Sequence, residues 1–303
     1  MTYEELIHSI QEASEKKTIA VAHADDISLF QAAKEAIDLR LASFIFTGPA
    51  KKMEVLAEEA GMTSRHREKI QLVDSSVPKE SALKAVELIN KGAAQVLMKG
   101  MLSTSVLLKA VLNKESGLRT GKILSHAAGF SLPGRDKMLF ITDAAMNINP
   151  DLNEKAQIIQ NTVEAVKGLG VEKPRVAAIA AVETVNPAME ATIHAAALTQ
   201  MNKRGQITGC VVDGPLGFDN AVSEEAALQK GIVSEVAGKA DILLVPDIET
   251  GNVLYKSLTY FGNAVVGGII TGAKAPVILT SRADSVNSKL FSIAMGTGSS
   301  SVH

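Results

Sequence analysis

Tryptophan is absent from this chain of 303 residues, cysteine occurs once, and only 3 tyrosines and 8 phenylalanines are present. A single cysteine, Cys210, excludes an intramolecular disulfide and any zinc site built on several thiolates. It stands between Gly209 and Val211 in an apolar run that predicts a strand, with no neighbouring charge to lower its pKa. Cys210 is therefore expected to be an inert core residue, which argues against a covalent thioester on cysteine. Neither sign of charge is in excess, with 31 lysines and arginines against 33 aspartates and glutamates. Nucleic acid or an anionic membrane would need a clustered basic surface, so neither is expected as a partner. No apolar run reaches the length of a membrane span, and Met1-Thr2-Tyr3-Glu4-Glu5 is acidic where a secretory leader is basic. A cytoplasmic location is the expectation. The 6 histidines show no paired spacing for a metal. There is no G-x-G-x-x-G in its strand-to-helix setting and no Walker A sequence.

What the chain has in quantity is small aliphatic residues and glycine, a composition suited to stacked α/β layers. Its length favours about two domains. Helical spacing of Tyr3, Leu6, Ile7 and Ile10 predicts an opening amphipathic helix. Short apolar runs at 18–22, 43–47, 70–73 and 94–98 then alternate with helical stretches at 27–41, 49–60 and 78–91. This spacing predicts parallel βαβ units. The segments 122–132 and 137–142, joined through Pro133-Gly134, predict two adjacent antiparallel strands. A second alternating series follows. It has helices over 151–169, 186–201 and 224–230, and strands over 175–182, 208–212 and 241–245. Asp143, Glu183, Asp213 and Asp247 are each expected at a strand's carboxyl end, where α/β proteins build sites. They either line a cleft or cap the following turns. The glycine-rich 262–272 suits close approach to a ligand or close helix packing.

Two junctions draw attention chemically. At Leu279-Thr280-Ser281-Arg282-Ala283-Asp284-Ser285 an apolar strand (276–280) stops at a hydroxyl, a guanidinium and a carboxylate before a helix predicted over 285–295. Free N–H groups and the dipole at such a helix start favour an anion, and arginine can bind phosphate or carboxylate with two prongs. A plain helix cap with a surface arginine beside it is the alternative. At Lys99-Gly100, with Ser103-Thr104 beyond, another strand delivers a cation and hydroxyls to a helix start. Ligand contact and a solvated lysine are both open there. Such groups suit a phosphate-bearing substrate and a reaction run by positioning and electrostatics.

Val96-Leu97-Met98-Lys99-Gly100 with Thr104, Thr142-Asp143-Ala144-Ala145-Met146-Asn147-Ile148-Asn149-Pro150, Val245-Pro246-Asp247-Ile248-Glu249-Thr250-Gly251-Asn252-Val253-Leu254-Tyr255-Lys256, and Ser281-Arg282 occur in that order along most of the chain. Together they resemble the phosphate acetyl/butyryltransferase family. The compact length and the Thr-Asp-Ala-Ala-Met-Asn form are similar to its butyryl branch. The resemblance implies two α/β domains around a cleft in an isocitrate/isopropylmalate-dehydrogenase-like fold. The first domain would be 1–134 plus 270–303, carrying the Ser-Arg site, and the second 135–269. It implies a homodimer or larger homo-oligomer that interconverts acyl-CoA plus phosphate with acyl phosphate plus CoA by direct transfer. No tightly bound cofactor and no metal are implied, coenzyme A being a substrate or product.

By the same resemblance Ser281 stabilises the transition state and Arg282 holds the anionic substrate. Lys99, Gly100, Thr104, Asp284 and Arg119 are expected to contact substrate, and Arg135 is a further arginine to consider. Where the acetyl branch has an aspartate seven positions after the serine, this chain has Ser288. The base is then Asp284, another carboxylate, or none. The acetyl branch itself and a noncatalytic acyl-CoA or acyl-phosphate sensor are the alternative functions. A metal-dependent hydroxyacid dehydrogenase would need clustered substrate arginines and metal-spaced aspartates, which are not evident. Ser281→Ala should lower turnover more than affinity, and Arg282→Ala should mainly raise the Michaelis constant for phosphate. Steady-state kinetics with phosphate varied check both, and the reverse pattern would exchange the two roles.

Overall fold

The computed structural model describes residues 1–280 and 284–300. Apolar runs bounded by turn residues become strands, and amphipathic stretches between them become helices. The first part of the chain runs α1 (Tyr3–Glu12), β1 (Lys17–Ala22), α2 (Ile27–Asp38), β2 (Ala42–Gly48), α3 (Ala50–Glu59), α4 (Ser64–Arg67), β3 (Ile70–Asp74), α5 (Pro78–Asn90), β4 (Val96–Lys99) and α6 (Thr104–Val111). The middle runs β5 (Ser125–Ser131), β6 (Leu139–Thr142), α7 (Leu152–Gly168), β7 (Arg175–Ile179), α8 (Glu190–Lys203), β8 (Val211–Leu216), α9 (Phe218–Val222), α10 (Glu224–Gln229), β9 (Ile242–Leu244) and α11 (Ile248–Tyr260). Last come β10 (Val265–Thr271), β11 (Val277–Ile278) and α12 (Val286–Ser299). The chain divides into two compact units, one of residues 1–2 with 123–266 and one of 3–122 with 267–303. The sequence-based divisions at 134/135 and 269/270 lie 12 residues and 3 residues beyond the corresponding breaks at 122/123 and 266/267.

In the unit holding 3–122, the strands β3, β2, β1, β4 and β11 lie side by side in that order and parallel, and β10 closes the series antiparallel to β11. A parallel sheet is covered on both faces, so its strands read as continuous apolar runs rather than alternating ones. Ile19, Ala20, Val21 and Ala22 of β1 are all buried. Phe30 of α2 stacks on Phe46 at 4.5 Å between centroids, and Phe46 on Phe44 at 5.7 Å, which fixes α2 against β2. Returning α12 packs its Phe291 against Tyr3 of α1 at 4.8 Å. The glycines near 267 serve this packing. A Cβ on Gly267 would stand 2.8 Å from the backbone carbon of Phe291, and the Gly268 N–H donates to Ser292 Oγ at 3.0 Å.

The other unit orders its strands β5-β6-β9-β7-β8, parallel except for β5, which pairs antiparallel with β6 as the sequence implied. Phe130, Leu139, Ile141, Leu243 and Val245 form its core, with Leu254, Tyr255 and Leu258 of α11 packed on it. α7 opens with a reciprocal cap: the Glu154 N–H donates to Asp151 Oδ1 at 2.8 Å and the Asp151 N–H to Glu154 Oε2 at 2.9 Å.

Two expectations are corrected here. β8 does not stop before Asp213 but continues to Leu216, through Gly214-Pro215. It is the outermost strand of its unit, where a proline's missing N–H is tolerated. Cys210 precedes this strand rather than lying inside it, although it is buried as expected. No helix among the described residues is long and apolar enough to cross a membrane. Gly267→Ala should lower stability by about 1–3 kcal/mol through overpacking against α12. An unchanged urea midpoint would show that the helix can step back at no cost.

Candidate active site

In a parallel sheet, loops at the carboxyl ends of the strands collect chemistry-bearing groups. In the unit holding 3–122, Asp26, Ser28, Leu29, Lys99, Gly100, Met101, Thr280 and Lys289 line one recess. Three elements deliver them: the start of α2, the end of β4, and the segment from β11 into α12. Asp26 caps α2, its carboxylate accepting from the Ser28 N–H at 2.9 Å and from the Ser28 hydroxyl. The Gly100 N–H donates to Ala22 O at 2.9 Å and the Met101 N–H to His23 O at 2.8 Å, so the turn after β4 is laced to the end of β1. A Cβ on Gly100 would meet those same two carbonyl oxygens at 2.5 and 2.3 Å. Only glycine fits there.

Lys99 turns its ammonium onto the carbonyls of Gly100 at 3.2 Å and Leu102 at 3.3 Å, holding the turn while it lines the recess. Lys289, which sequence reasoning missed, is only 3% exposed and donates to Asp284 O at 2.6 Å. A cation in the first turns of a helix opposes the helix dipole, and burying one is costly unless it is hydrogen-bonded or paired. That conflict, at helical spacing from Ser292 and Ile293, was the signal available in the sequence.

Ser281 and Arg282 lie outside the described residues. Thr280, immediately before them, is buried and lines the recess. Lys99, Gly100 and Thr280 are thus brought together. Asp284 is half-buried just before Ser285, which caps α12 by accepting from the Ser288 N–H at 3.1 Å. Ser288 belongs to that cap, its hydroxyl 3.2 Å from that of Ser285. Thr104 is exposed at the first position of α6, where Ser103 supplies the cap, and it does not line the recess. Arg119, also exposed, stands apart from it in a lone antiparallel bridge with Ala273.

The other unit carries its own polar groups. Asp143, buried at the end of β6, accepts from the N–H groups of Ala145 and Met146, both at 2.9 Å, and from Asn147 Nδ2 at 2.6 Å. These three bonds satisfy the acceptors of a buried side chain. Asp247 caps α11, accepting from the Thr250 N–H at 2.8 Å. Glu183 stands four residues beyond the last residue of β7 and pairs with Lys230 at 2.6 Å. Two of the expected strand-end carboxylates therefore form turns or caps, and a third forms an ion pair. Arg135 reaches Ala240 O at 3.5 Å and burial lowers its pKa, which makes it a packing residue of this unit.

Lys155 is buried with its ammonium 3.1 Å from His194 Nδ1, and burial pushes its pKa down against the raising effect of Glu190, Asp247 and Asp151. Its place on the stripe shared with Ile158, Ile159 and Thr162 could have revealed that burial. Burial also pushes the Cys210 thiol up to about 11, which keeps it protonated near neutrality. Among the described residues no group of three or more His, Cys, Asp or Glu could hold a metal ion.

This geometry can be set beside known proteins. The family described as phosphate acetyl/butaryl transferase matches the chain over residues 69–297, and the chain belongs to that family. A probable phosphate butyryltransferase of Bacillus subtilis (strain 168) is 55% identical over 279 residues, 92% of each chain. A phosphate butyryltransferase of Clostridium beijerinckii is 47% identical over 293 residues, 97% of this chain and 96% of its own. The crystal structure of a branched-chain phosphotransacylase from Enterococcus faecalis V583 superposes with a TM-score of 0.82 at 36% identity, covering 95% of this chain and 100% of that one. The likeness extends the α/β architecture, mixed strands with helices around them, to a solved relative.

Burial also sets a pH dependence. His23, His126 and His194 are all held below the ordinary histidine value of 6.5, chiefly by desolvation; Asp25, Asp143 and Glu190 respectively oppose the shift. The unfolded chain therefore binds more protons once pH falls below about 6.5, and folding stability must fall with it. The stability is fully present above the unfolded value and is lost as pH drops through the folded ones. Melting temperature measured at pH 7.5, 6.5 and 5.5 should decline over the lower interval. A flat profile there would mean that the three imidazoles protonate as freely folded as unfolded.

Proposed function

We propose that the chain is a phosphate butyryltransferase, an acyltransferase that converts butyryl-CoA plus phosphate to butyryl phosphate plus CoA, reversibly. The observation that carries this reading is its likeness to two butyryltransferases along more than nine-tenths of its length. The recess supports it. Lysines 99 and 289 give it positive charge, and the chain passes directly from Thr280, in its wall, to Ser281-Arg282. Transfer is direct. A phosphate oxygen attacks the thioester carbonyl, the C–S bond breaks from the tetrahedral adduct, and the sulfur leaves as thiolate or takes a proton. A thiol held protonated, as Cys210 is, offers no nucleophile for an acyl-enzyme.

In this proposal Arg282 grips phosphate with two prongs, and Ser281 or a backbone N–H donates to the oxyanion that grows on the carbonyl oxygen. Donors must fit the tetrahedral adduct better than the planar thioester, since equal binding of both would not speed the reaction. Lys99, Gly100 and Asp284 contribute substrate contacts around the same turn, while Thr104 and Arg119 offer exposed groups to the larger CoA molecule. The finer fold reading, two domains in the isocitrate/isopropylmalate-dehydrogenase-like manner, is supported by the return of 267–303 to the unit of 3–122. A homo-oligomer is supported by α11 and its end, where Val253, Tyr260 and Phe261 stand exposed at 66%, 74% and 88%. A cytoplasmic location belongs to the same proposal.

Phosphate-dependent release of free thiol from acetyl-, propionyl-, butyryl- and isobutyryl-CoA, read with a thiol dye, tests the function. Release that requires phosphate and peaks at four carbons is expected. A peak at two carbons would move the chain to acetyl transfer, and no release in either direction with any acyl chain would overturn the enzyme.

A further inference from the structure

The unit of 3–122 holds a second cavity, apart from the recess. It lies at the opposite ends of the strands, has a volume of about 300 Å³, and is lined by Lys16, Ile37, Arg40, Ser43, Arg65 and Lys69 among others. The register explains why these residues meet. Lys17 of β1 stands beside Ala42 of β2, Thr18 beside Ser43, and Phe44 of β2 beside Ile70 of β3, so Lys16, Ser43 and Lys69 all fall within two residues of one another at the amino ends of three parallel strands. β1 then runs on to Ala22, which pairs with Lys99 at the recess. Five steps of about 3.3 Å separate the two places by roughly 15–20 Å along one strand.

The wall is cationic and carries no carboxylate. Asp38, two residues before Arg40, is already bound to Lys34 at 3.1 Å and to His66 at 3.0 Å. Lys16 is also committed, donating to Ile10 O, Gln11 O and Ala13 O at 2.7, 2.8 and 2.9 Å, so it closes the end of α1 and fixes one side of the cavity. Arg40, Arg65 and Lys69 differ. Among the described residues their side chains have neither an ion-pair nor a hydrogen-bond partner, although Arg67 and His66 close by are both paired. Three unneutralised cations around one concavity is an uneven distribution in a chain whose charges otherwise nearly cancel. Arg40 adds a backbone observation. It terminates α2 at φ 55°, the left-handed position usually filled by glycine or asparagine, so a guanidinium stands where the backbone alone would favour no side chain. Beneath the charges the floor is apolar, with buried Ile37 and Ala42.

We propose that this cavity binds a small organic polyphosphate, at a site separate from the recess. Two guanidinium forks and an ammonium match adjacent phosphate groups, and the apolar floor takes the uncharged body of the same molecule. The chemistry is shared by free nucleoside diphosphates and by the phosphorylated adenosine end of CoA. It does not depend on the acyl-transfer reading.

Isothermal titration calorimetry with ADP and with CoA, on the whole protein, tests it. Arg40→Gly removes the guanidinium and keeps the left-handed backbone, and Arg65→Glu with Lys69→Glu reverses the charge at two other lining positions. ADP should bind one per chain, more weakly as salt rises, and at least tenfold more weakly in each variant. Melting temperature and thiol-release rate should stay as in the parent, which separates loss of this site from loss of the fold or of the recess. If CoA displaces ADP from the parent, the CoA end is the occupant; if ADP binds undiminished with CoA saturating, the occupant is a free nucleotide. ADP heat that is absent at millimolar concentration, or equal in parent and variants, overturns the proposal.

Discussion

The junction on which the candidate site depends is the lacing of the turn after β4 to the end of β1. Gly100 and Met101 each place an N–H on a carbonyl of Ala22 and His23, at a separation that leaves no room for a single extra carbon. Because β4 is also the neighbour of β11, the same junction fixes where Thr280 emerges and hence where α12 begins. Backbone hydrogen bonds in such a place contribute little net energy each, but leaving any one buried and unmade would be costly. The recess is therefore defined by main-chain geometry first, and its side chains are added to a frame that already exists.

Charge is distributed in keeping with that frame. Lys99 donates to the carbonyl oxygens of Gly100 and Leu102, and Lys289 to that of Asp284, so both ammonium groups help to hold the backbone around the recess. Lys155 in the other unit follows a different course, with His194 as its contact and carboxylates at longer range. The two buried lysines, Lys289 and Lys155, each have a neutral acceptor close by, which offsets part of the cost of taking an ammonium out of water.

Legibility in the sequence followed the range of the forces involved. β1, β2 and β4 were readable because a parallel strand buried on both faces is an uninterrupted apolar run, and α7 because Asp151 and Glu154 form a local cap. β10 was not recognised as a strand, since Gly267 and Gly268 carry no side chain to mark a period; the packing of α12 that requires them comes from 24 residues away. The extent of β8 was misread because Gly-Pro is a turn signal locally, and only the sheet order reveals that it occupies an edge. Lys99 and Gly100 stood out as a cation and a glycine closing a strand. Lys289 and Asp26 did not, because what places them in the recess is the approach of α12 and α2, a tertiary fact. Thr104 and Arg119 were singled out by the family resemblance, and neither lines the recess.

The discontinuity of the unit built from 3–122 and 267–303 has a temporal meaning. During synthesis the first six helices and four strands emerge early, yet β4 must wait for β11, and α1 for α12, until more than 150 further residues have been made. All of the intervening unit but residues 1–2 is contiguous, and those two have already been made when it emerges. It can therefore complete its sheet while the part of the protein that was made first is still open along one edge. Order of birth and order of completion are reversed, and the lysine-lined recess is among the last features to exist.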